Sequence, residues 1–175
     1  RSGEVYKAED IQTKKKYAVK IFIKGNESDI ENEIKILNIV SQLKNPYIIN
    51  IIDSGKELIK TEFLPEVNRR YIIMDYASKG ELFDYISFIK TGLSIRAAKL
   101  IFHKILKGLE DIHKSGICHR NLELKNILMD EFYNPKICDF GLSTEIKGKD
   151  GSGVLNDYVG TLNYAPPEMY KKIPY

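Results

Sequence analysis

The stretch Cys118–Asp130, CHRNLELKNILMD, decides how the rest of this chain is interpreted. It places an imidazole, both signs of charge and two amides in one short segment, which closes with the apolar run Ile127–Met129. An ordinary surface loop has little reason to combine these groups so tightly. Loops that carry function do, because a rigid scaffold can present their side chains together. The stretch therefore predicts a site for chemistry, followed by a short buried strand.

Length and composition limit the classes of protein to which this chain can belong. The chain has 175 residues, which suits one domain, and its charge balance of 27 − 24 gives only +3. So small an excess does not indicate a nucleic-acid partner, and no apolar stretch is long enough for a membrane span. Two cysteines form no disulfide framework, so we expect a reducing, cytoplasmic compartment. The chain opens on Arg rather than Met, and we expect it to be a piece of a longer protein.

The first half of the chain is rich in strand signals. GEVYKAE (3–9) and KYAVKIFI (16–23) are β-branched and aromatic runs separated by a polar turn, which predicts a hairpin. YIINIID (47–53) and RRYIIMDYA (69–77) predict two further strands. The polar segment Ser54–Arg69 is longer than a tight turn needs, so we expect an exposed loop there.

Helix signals fall after the hairpin and through the second half. Ser28 followed by Glu31 fits a capping box, and we expect that first helix to stop at Asn45-Pro46. Ser94 is a plausible N-cap for a long helix that ends near Gly116. Apolar side chains recur at helical spacing in these helices and in a short one between them: Ile30, Ile34, Leu37 and Val40; Leu82, Ile86 and Ile89; Ile101, Ile105, Leu109 and Ile112.

Several residues have chemistry that calls for a partner. Asn126 and Asp139 lie near one turn and offer the oxygen ligands that Mg²⁺ prefers, alongside phosphate. Lys20 lies in an apolar strand, where an unpaired ammonium is costly, and Glu33 on the inward face of the first helix is the natural partner. Gly3 is expected in a strand turn where the backbone approaches a ligand closely.

Taken in order, these segments resemble the protein kinase family over the whole chain. The matching motifs are SGEVYKA, YAVK, ENEIKIL, IIMDYASKGELFDYI, HRNLELKN, DFG and GTLNYAPPE. The resemblance implies an α+β, two-lobed fold with a small antiparallel-sheet lobe, one helix in it, and a truncated, mainly helical lobe. It implies one incomplete kinase domain over 1–175, with the N-terminal lobe and hinge in 1–76 and part of the C-terminal lobe in 77–175.

The resemblance also implies site residues, with ATP and Mg²⁺ as cofactors. Lys20 would hold phosphates and Glu33 would orient it, while Asn126 and Asp139 would ligate Mg²⁺. The adenine would be sandwiched by Val5, Ala18 and Leu128 and contacted at the hinge by Asp75 and Ala77. Met74 would lie at the back of the pocket, Gly3 in the glycine-rich loop, and Glu81 would reach the ribose or a substrate arginine. His119, Phe140 and Leu37 resemble the apolar spine that joins the lobes. A purely structural Lys20–Glu33 pair is the alternative.

Three positions in the catalytic loop depart from the family pattern. Asn121 stands where the family has its catalytic aspartate, and an amide oxygen is almost non-basic. Glu123 stands where Ser/Thr-specific members usually carry a lysine that touches the transferring phosphoryl group. Lys125 replaces a residue that is acidic in many kinases of basic substrates. Nucleotide-holding residues are thus kept while phosphate-transferring residues are lost.

Three functions follow from this pattern. The first is a domain that binds Mg-ATP, resembles the Ser/Thr type through GTLNY, and transfers phosphate weakly or not at all, as a pseudokinase. The second is an active Ser/Thr kinase with an atypical catalytic loop, and the third is a non-catalytic scaffold. A protein substrate or a regulatory protein is the expected partner.

Phosphorylation of the chain itself is a further expectation from the resemblance. Kinases are often modified in the segment after DFG, and here that segment offers four hydroxyls: Ser143, Thr144, Ser152 and Thr161. Arg120 could pair with such a phosphate.

Overall fold

A four-stranded antiparallel sheet and one helix form the first part of the chain. The computed structural model describes residues 3–89, 91–148 and 150–175. The elements of this part are β1 (Gly3–Glu9), β2 (Lys16–Phe22), α1 (Glu27–Ser41), β3 (Ile51–Ile59) and β4 (Val67–Asp75). The strand order is β1-β2-β4-β3, which places β2, the strand that carries Lys20, inside the sheet.

The second part is mainly helical, with short strand pairs around the loops. Its helices are α2 (Leu82–Phe88), α3 (Ile95–Lys114) and α4 (Pro167–Tyr170), with 3₁₀ turns at Leu124–Asn126 and Leu162–Tyr164. Its strands are β5 (Ile117–Cys118), β6 (Ile127–Met129), β7 (Pro135–Ile137) and β8 (Thr144–Glu145). β6 pairs with β7, and β5 pairs with β8. The predicted α+β, two-lobed architecture is confirmed.

The start of α1 corrects the sequence prediction. Asn26, not Ser28, is the N-cap, and its side-chain oxygen accepts a hydrogen bond of 2.7 Å from the backbone N–H of Asp29. Ser28 lies inside the first turn, where the backbone is already helical, so the predicted capping box is wrong. The helix also ends at Ser41, four residues before Asn45.

The segment predicted as a long loop, Ser54–Arg69, is mostly strand. β3 and β4 pair down to Ile59 opposite Val67, so the connection covers only residues 60–66. The prediction is wrong because β3 is an edge strand with several exposed positions, where polar side chains are compatible with strand structure. The strand also starts at Ile51 rather than at residue 47. Ile48 and Ile49, which precede it, are buried in the core.

The ends of α3 agree with the sequence prediction. The Ser94 hydroxyl accepts from the backbone N–H of Ala97 at 3.2 Å, and Gly116 has a φ of +77° just beyond the helix. One apolar core continues from α1 across the loops to α3, and includes Leu37, Ile112 and Phe140. This shared core holds the sheet lobe against the catalytic stretch. Within the described ranges, no helix is both long enough and apolar enough to cross a membrane.

Candidate active site

A largely buried ion pair joins the sheet to its helix. Lys20 Nζ on β2 lies 2.5 Å from Glu33 Oε1 on α1, and the side chains are 12% and 5% exposed. The Asp139 carboxylate lies 3.9 Å from the same ammonium. Burial raises the pKa of Glu33, while the Lys20 ammonium acts in the opposite direction. The partner that the sequence predicts for Lys20 is therefore found, with a second carboxylate nearby.

The turn Asp139–Gly141 brings that second carboxylate into the cleft. Asp139 has a φ of +63°, a conformation that a non-glycine residue adopts only where its surroundings enforce it. Phe140 beside it is 1% exposed and anchors the turn in the core. A Cβ at Gly141 would lie 3.2 Å from Glu33 Oε2 and 3.3 Å from Asp139 Oδ1. A side chain there would crowd both carboxylates, so the glycine leaves them room, a role that sequence analysis did not assign.

His119 ties the catalytic loop to this turn as a neutral ring. Its Nδ1 accepts from the backbone N–H of Asn121 at 3.3 Å, so its Nε2 carries the proton and donates to the Cys138 carbonyl at 3.0 Å. Burial lowers the pKa of His119, in agreement with a neutral imidazole. The ring also packs edge-on against Phe140, with 5.0 Å between ring centres. His119 therefore fixes the spacing between the catalytic loop and Asp139.

Asn121 and Asn126 are joined by the backbone of the catalytic loop. The Asn126 side-chain nitrogen donates to the Asn121 carbonyl at 2.9 Å, and the Asn126 carbonyl accepts from Cys138 N–H at 2.9 Å. The side-chain oxygen of Asn121 accepts from the Thr161 hydroxyl at 3.4 Å. Since its nitrogen is engaged, Asn126 presents its side-chain oxygen as the atom available for a ligand.

A cavity of about 420 Å³ brings together many of the predicted site residues. Six of them line it: Glu33, Glu81, Asn121, Glu123, Asn126 and Asp139. Asp29, Lys125 and Leu142 also line it, and no local sequence signal pointed to Asp29 or Leu142. The predicted phosphate-side and metal residues are thus brought together around one cavity.

The predicted adenine and hinge residues lie on the strands and loops beside this cavity rather than in its lining. In the part of the chain that the structure describes, eight predicted residues do not line the cavity: Gly3, Val5, Ala18, Lys20, Met74, Asp75, Ala77 and Leu128. Val5 is opposite Lys20, and Ala18 is opposite Met74, in adjacent strands. A β-bridge joins Leu128 to Glu81, which does line the cavity. These residues therefore lie in neighbouring strands and loops, outside the lining of this cavity.

Two groups at the hinge side have polar atoms left for a ligand. Across residues 3–89, 91–148 and 150–175, the Ala77 N–H donates to no other backbone group. Glu81 precedes α2 but makes no capping hydrogen bond with its side chain, and it lines the cavity instead. Both observations fit the roles that the family resemblance implies for these residues.

Gly3 lies elsewhere than predicted. It is part of β1, paired with Phe22, and not in a turn. A Cβ there would lie 2.3 Å from the Ile21 carbonyl oxygen, so its missing side chain permits close approach of the neighbouring strand. The expected turn is therefore wrong, because this glycine is paired within the sheet, whereas its contact with ATP stays a prediction.

The donor set fits a magnesium ion shared with phosphate. Asn126 offers an amide oxygen and Asp139 a carboxylate that is 44% exposed, and both line the cavity. Mg²⁺ is commonly held by one or two such protein oxygens plus phosphate and water. Among the residues that the structure describes, no three His, Cys, Asp or Glu side chains are arranged to hold a metal by themselves. These two residues are therefore suited to a cation that arrives with a phosphate ligand.

Contacts between α1 and the residues after Gly141 were missed by sequence analysis. The Asn32 side chain donates to the Ser143 carbonyl at 3.0 Å, and Lys35 pairs with Glu145, which also pairs with Lys147 at 2.7 Å. Hydrogen bonds from Lys147 and Lys35 lower the pKa of Glu145 to about 2. Asn32 and Ser143 are 111 residues apart in the chain. No local sequence pattern could therefore reveal this contact.

Comparison with known families identifies the class of protein that this fold and site define. The protein kinase domain family matches residues 1–175, so the chain belongs to the protein kinase domain family. The resemblance found in the sequence motifs is thereby confirmed.

The similar relatives are Ser/Thr kinases. The chain is 36% identical over 176 residues to NUAK family SNF1-like kinase 1 of Homo sapiens, covering 99% of the chain and 25% of that protein. It is 38% identical over 172 residues to probable serine/threonine-protein kinase MARK-B of Dictyostelium discoideum, covering 96% and 22%. It is 37% identical over 171 residues to SNF1-related protein kinase catalytic subunit alpha KIN12 of Arabidopsis thaliana, covering 94% and 31%. The chain thus spans about a fifth to a third of the length of these relatives.

Proposed function

We propose that this domain binds Mg-ATP and transfers phosphate to serine or threonine hydroxyls weakly or not at all. One observation carries the proposal: Lys20, Glu33 and Asp139 meet within 3.9 Å at a cleft whose lining includes an amide, Asn121, at the position of the base. The groups that hold a triphosphate are assembled, whereas the proton acceptor is missing.

The nucleotide-holding half of the proposal is an argument about charge. Lys20 is a point charge suited to phosphate oxygens, and Glu33 restrains it through a contact of 2.5 Å. Asn126 and Asp139 would hold Mg²⁺, which when bound supplies neutralisation of phosphate charge. Glu81 lines the same cavity and is available to a ribose hydroxyl. These roles use polar atoms that the described fold leaves accessible in the cleft.

The loss of transfer follows from Asn121. General base catalysis contributes about 10²–10⁴-fold, or roughly 3–5 kcal/mol of barrier, and an amide cannot supply it. The Asn121 side-chain oxygen accepts a hydrogen bond from the Thr161 hydroxyl at 3.4 Å. It can therefore still position a substrate hydroxyl by the same kind of hydrogen bond. Residual slow transfer is therefore compatible with the geometry.

Glu123 adds an unfavourable charge to the same site. It lines the cavity, where its carboxylate would repel a transferring phosphoryl group. Lys125 lines the same cavity but forms no ion pair with Glu123 within the described residues, and its ammonium lies 5.0 Å from the centre of the Phe83 ring. Asn121 and Glu123 would thus both slow phosphate transfer.

An active Ser/Thr kinase is the second candidate function. The assembled arrangement of Lys20, Glu33 and Asp139 favours it, because these are the parts that a kinase must have in place before transfer. Protein substrates would then be the partners, whereas a regulatory protein is the partner expected of an inactive domain. A non-catalytic scaffold without ATP is the third outcome that the experiment below separates.

The proposal extends to domain organisation and compartment. We assign residues 1–76 to the N-terminal lobe with its hinge and residues 77–175 to part of the C-terminal lobe of one kinase domain. The assignment is supported by the end of β4 at Asp75 and the start of α2 at Leu82. Cys118 and Cys138 are free thiols, which supports a reducing, cytoplasmic location.

The test compares phosphate transfer by the full-length protein with that of Asn121→Asp combined with Glu123→Lys. Transfer of radiolabelled phosphate to a mixed Ser/Thr peptide library should rise by about 10²-fold or more, because a base is restored and a repulsive charge removed. Thermal unfolding with and without Mg-ATP measures binding separately.

Three results are informative. An active parent whose rate does not rise would contradict impaired transfer and favour the second candidate. An inactive parent that Mg-ATP does not stabilise would favour the scaffold. A parent that Mg-ATP stabilises, and that the double variant activates, supports the proposal.

A further inference from the structure

Arg120 of the catalytic loop is already paired with a carboxylate far along the chain. Its guanidinium donates from Nε to the Leu142 carbonyl at 2.7 Å and from NH1 to Asp157 Oδ2 at 3.2 Å. The Arg120 side chain is only 8% exposed, and its backbone has a φ of +62°. A buried guanidinium needs such partners because an unpaired buried charge is costly. Arg120 thus connects the catalytic loop to two later points of the chain.

Asp157 and its neighbour Leu155 are held in place by contacts with Tyr175. Leu155 and Tyr175 exchange backbone hydrogen bonds of 2.6 and 3.0 Å, and the Tyr175 hydroxyl donates to the Asp157 carbonyl at 2.9 Å. At Gly160, where φ is +103°, a Cβ would lie 2.4 Å from the Arg120 carbonyl oxygen. Residues 155–161, here called the anchored segment, therefore lie directly against the catalytic loop.

The hydroxyls expected to carry phosphate are engaged elsewhere. Ser143 is 1% exposed and donates to the His119 carbonyl at 3.1 Å, and Thr144 is 7% exposed within β8. The Ser152 hydroxyl donates to Asp150 in its own turn, and the Thr161 hydroxyl points to Asn121. Phosphate on Ser143 or Thr144 would require the segment to open first. The described contacts of Arg120 include none of these hydroxyls.

We infer that Asp157 is a positioning residue whose permanent carboxylate fastens the anchored segment to Arg120 in the place that a regulatory phosphate would take. A phosphorylated side chain orders a loop by offering charge and acceptor oxygens to arginine. The Asp157 carboxylate offers the same kind of acceptor with a smaller charge, and needs no modifying enzyme. The anchored segment is consequently ordered in the unphosphorylated protein. The inference concerns order and not phosphate transfer, so it stands independently of the proposed function.

The test measures hydrogen exchange by mass spectrometry in peptides from residues 155–161 of the full-length protein. Asp157→Asn should speed exchange there by about three- to tenfold, the range for losing a partly exposed ion pair to a buried arginine. Asp157→Glu should restore part of the protection because it keeps the carboxylate. Asp150→Asn is the matched control, since Asp150 accepts hydrogen bonds from Ser152 in its own turn. It should leave exchange in residues 155–161 unchanged.

Two further arms distinguish a charge-specific role from a merely structural one. In Asp157→Ala, inorganic phosphate at constant ionic strength should restore protection, because the anion occupies the vacated site beside Arg120. Phosphatase treatment of the unmutated protein should leave exchange unchanged. Faster exchange after phosphatase treatment would overturn the inference, as would an Asp157→Asn variant that exchanges like its parent. Failure of phosphate to protect Asp157→Ala would also overturn it.

Discussion

The ammonium of Lys20 lies 2.5 Å from the carboxylate of Glu33, and this contact joins the central part of the sheet to α1 of the first lobe. The pair is nearly enclosed by protein, yet the Asp139 carboxylate 3.9 Å away is 44% exposed to the cleft. One carboxylate is enough to neutralise the Lys20 ammonium, and the second acts to raise the pKa of Glu33. The arrangement is instead suited to an anionic ligand that brings its own cation.

Replacing Lys20 with Met tests this relationship. The variant leaves Glu33 buried without its partner, so we expect the free energy of unfolding to fall by about 3–5 kcal/mol. We also expect the thermal stabilisation by Mg-ATP to disappear, because the charge that holds phosphate is gone. Both effects are measured by thermal unfolding of the full-length protein with and without Mg-ATP.

Lys35→Met is the control for that experiment. Lys35 lies on the same helix as Glu33, its side chain is 61% exposed, and its partner is Glu145. An exposed pair of this kind contributes about 0–1 kcal/mol, and stabilisation by Mg-ATP should persist. If Lys20→Met retained the full Mg-ATP shift, Lys20 would have no part in nucleotide binding.

Some secondary-structure elements were predicted correctly from the sequence and others were not. β1 was predicted with its observed bounds, and the Ser94 cap of α3 was also correct, because alternation and capping are properties of a few adjacent residues. The capping box at Ser28 failed because Asn26, two residues earlier, competes for the same helix start. The edge strand β3 was missed because exposed strand positions and loops have the same polarity.

At the candidate site, too, some contacts were predictable from the sequence and others were not. The Lys20–Glu33 pair was predictable, since a lysine in an apolar strand demands a carboxylate and the helix offers one on its inward face. The pairing of Arg120 with Asp157 was not, because nothing near residue 157 indicates where its carboxylate points. Gly141 was likewise missed, since its role depends on two carboxylates that meet only in three dimensions.

Gly160→Ala should destabilise the anchored segment more than Gly153→Ala. Both glycines have positive φ, +103° and +74°, so both substitutions introduce backbone strain of about 1 kcal/mol. A Cβ at Gly160 would also lie 2.4 Å from the Arg120 carbonyl oxygen, whereas a Cβ at Gly153 would meet nothing within 4 Å. Overpacking adds about 1–3 kcal/mol.

Hydrogen exchange of peptides from residues 155–161 is the measurement for this pair. Gly153→Ala controls for the strain of a left-handed residue in the same stretch of chain. Equal exchange in the two variants would show that Gly160 does not contact the catalytic loop closely.

The thiol of Cys138 should be unreactive in the folded protein. Burial raises its pKa strongly, and the neighbouring Asp139 carboxylate acts in the same direction, so almost no thiolate forms at neutral pH. Burial also raises the pKa of Cys118, although Arg120 opposes the shift. Alkylation by iodoacetamide, followed by peptide mass spectrometry, should therefore be slow at both sites and slowest at Cys138.

Unfolding in guanidinium provides the control for thiol reactivity. Both cysteines should then react at the rate of an ordinary exposed thiol, because burial no longer disfavours the thiolate. Rapid modification of Cys138 in the native protein would mean that the core around this thiol opens to solvent.

Glu145 should make the stability of this domain depend on acid pH. Lys147 and Lys35 hold its pKa at about 2 in the folded state, against an ordinary value of 4.5. As pH falls, the unfolded chain binds the proton first, so the contribution of Glu145 is complete above pH 4.5 and is lost between pH 4.5 and about 2.

Glu145→Gln removes this dependence. Urea unfolding followed by circular dichroism across that range should show the parent's advantage over the variant shrinking as pH falls. Glu131→Gln, which changes an exposed residue in the turn between β6 and β7, should give a curve parallel to that of the parent. An advantage over Glu145→Gln that stays constant with pH would mean that the carboxylate of Glu145 does not tether α1 to β8 through its charge.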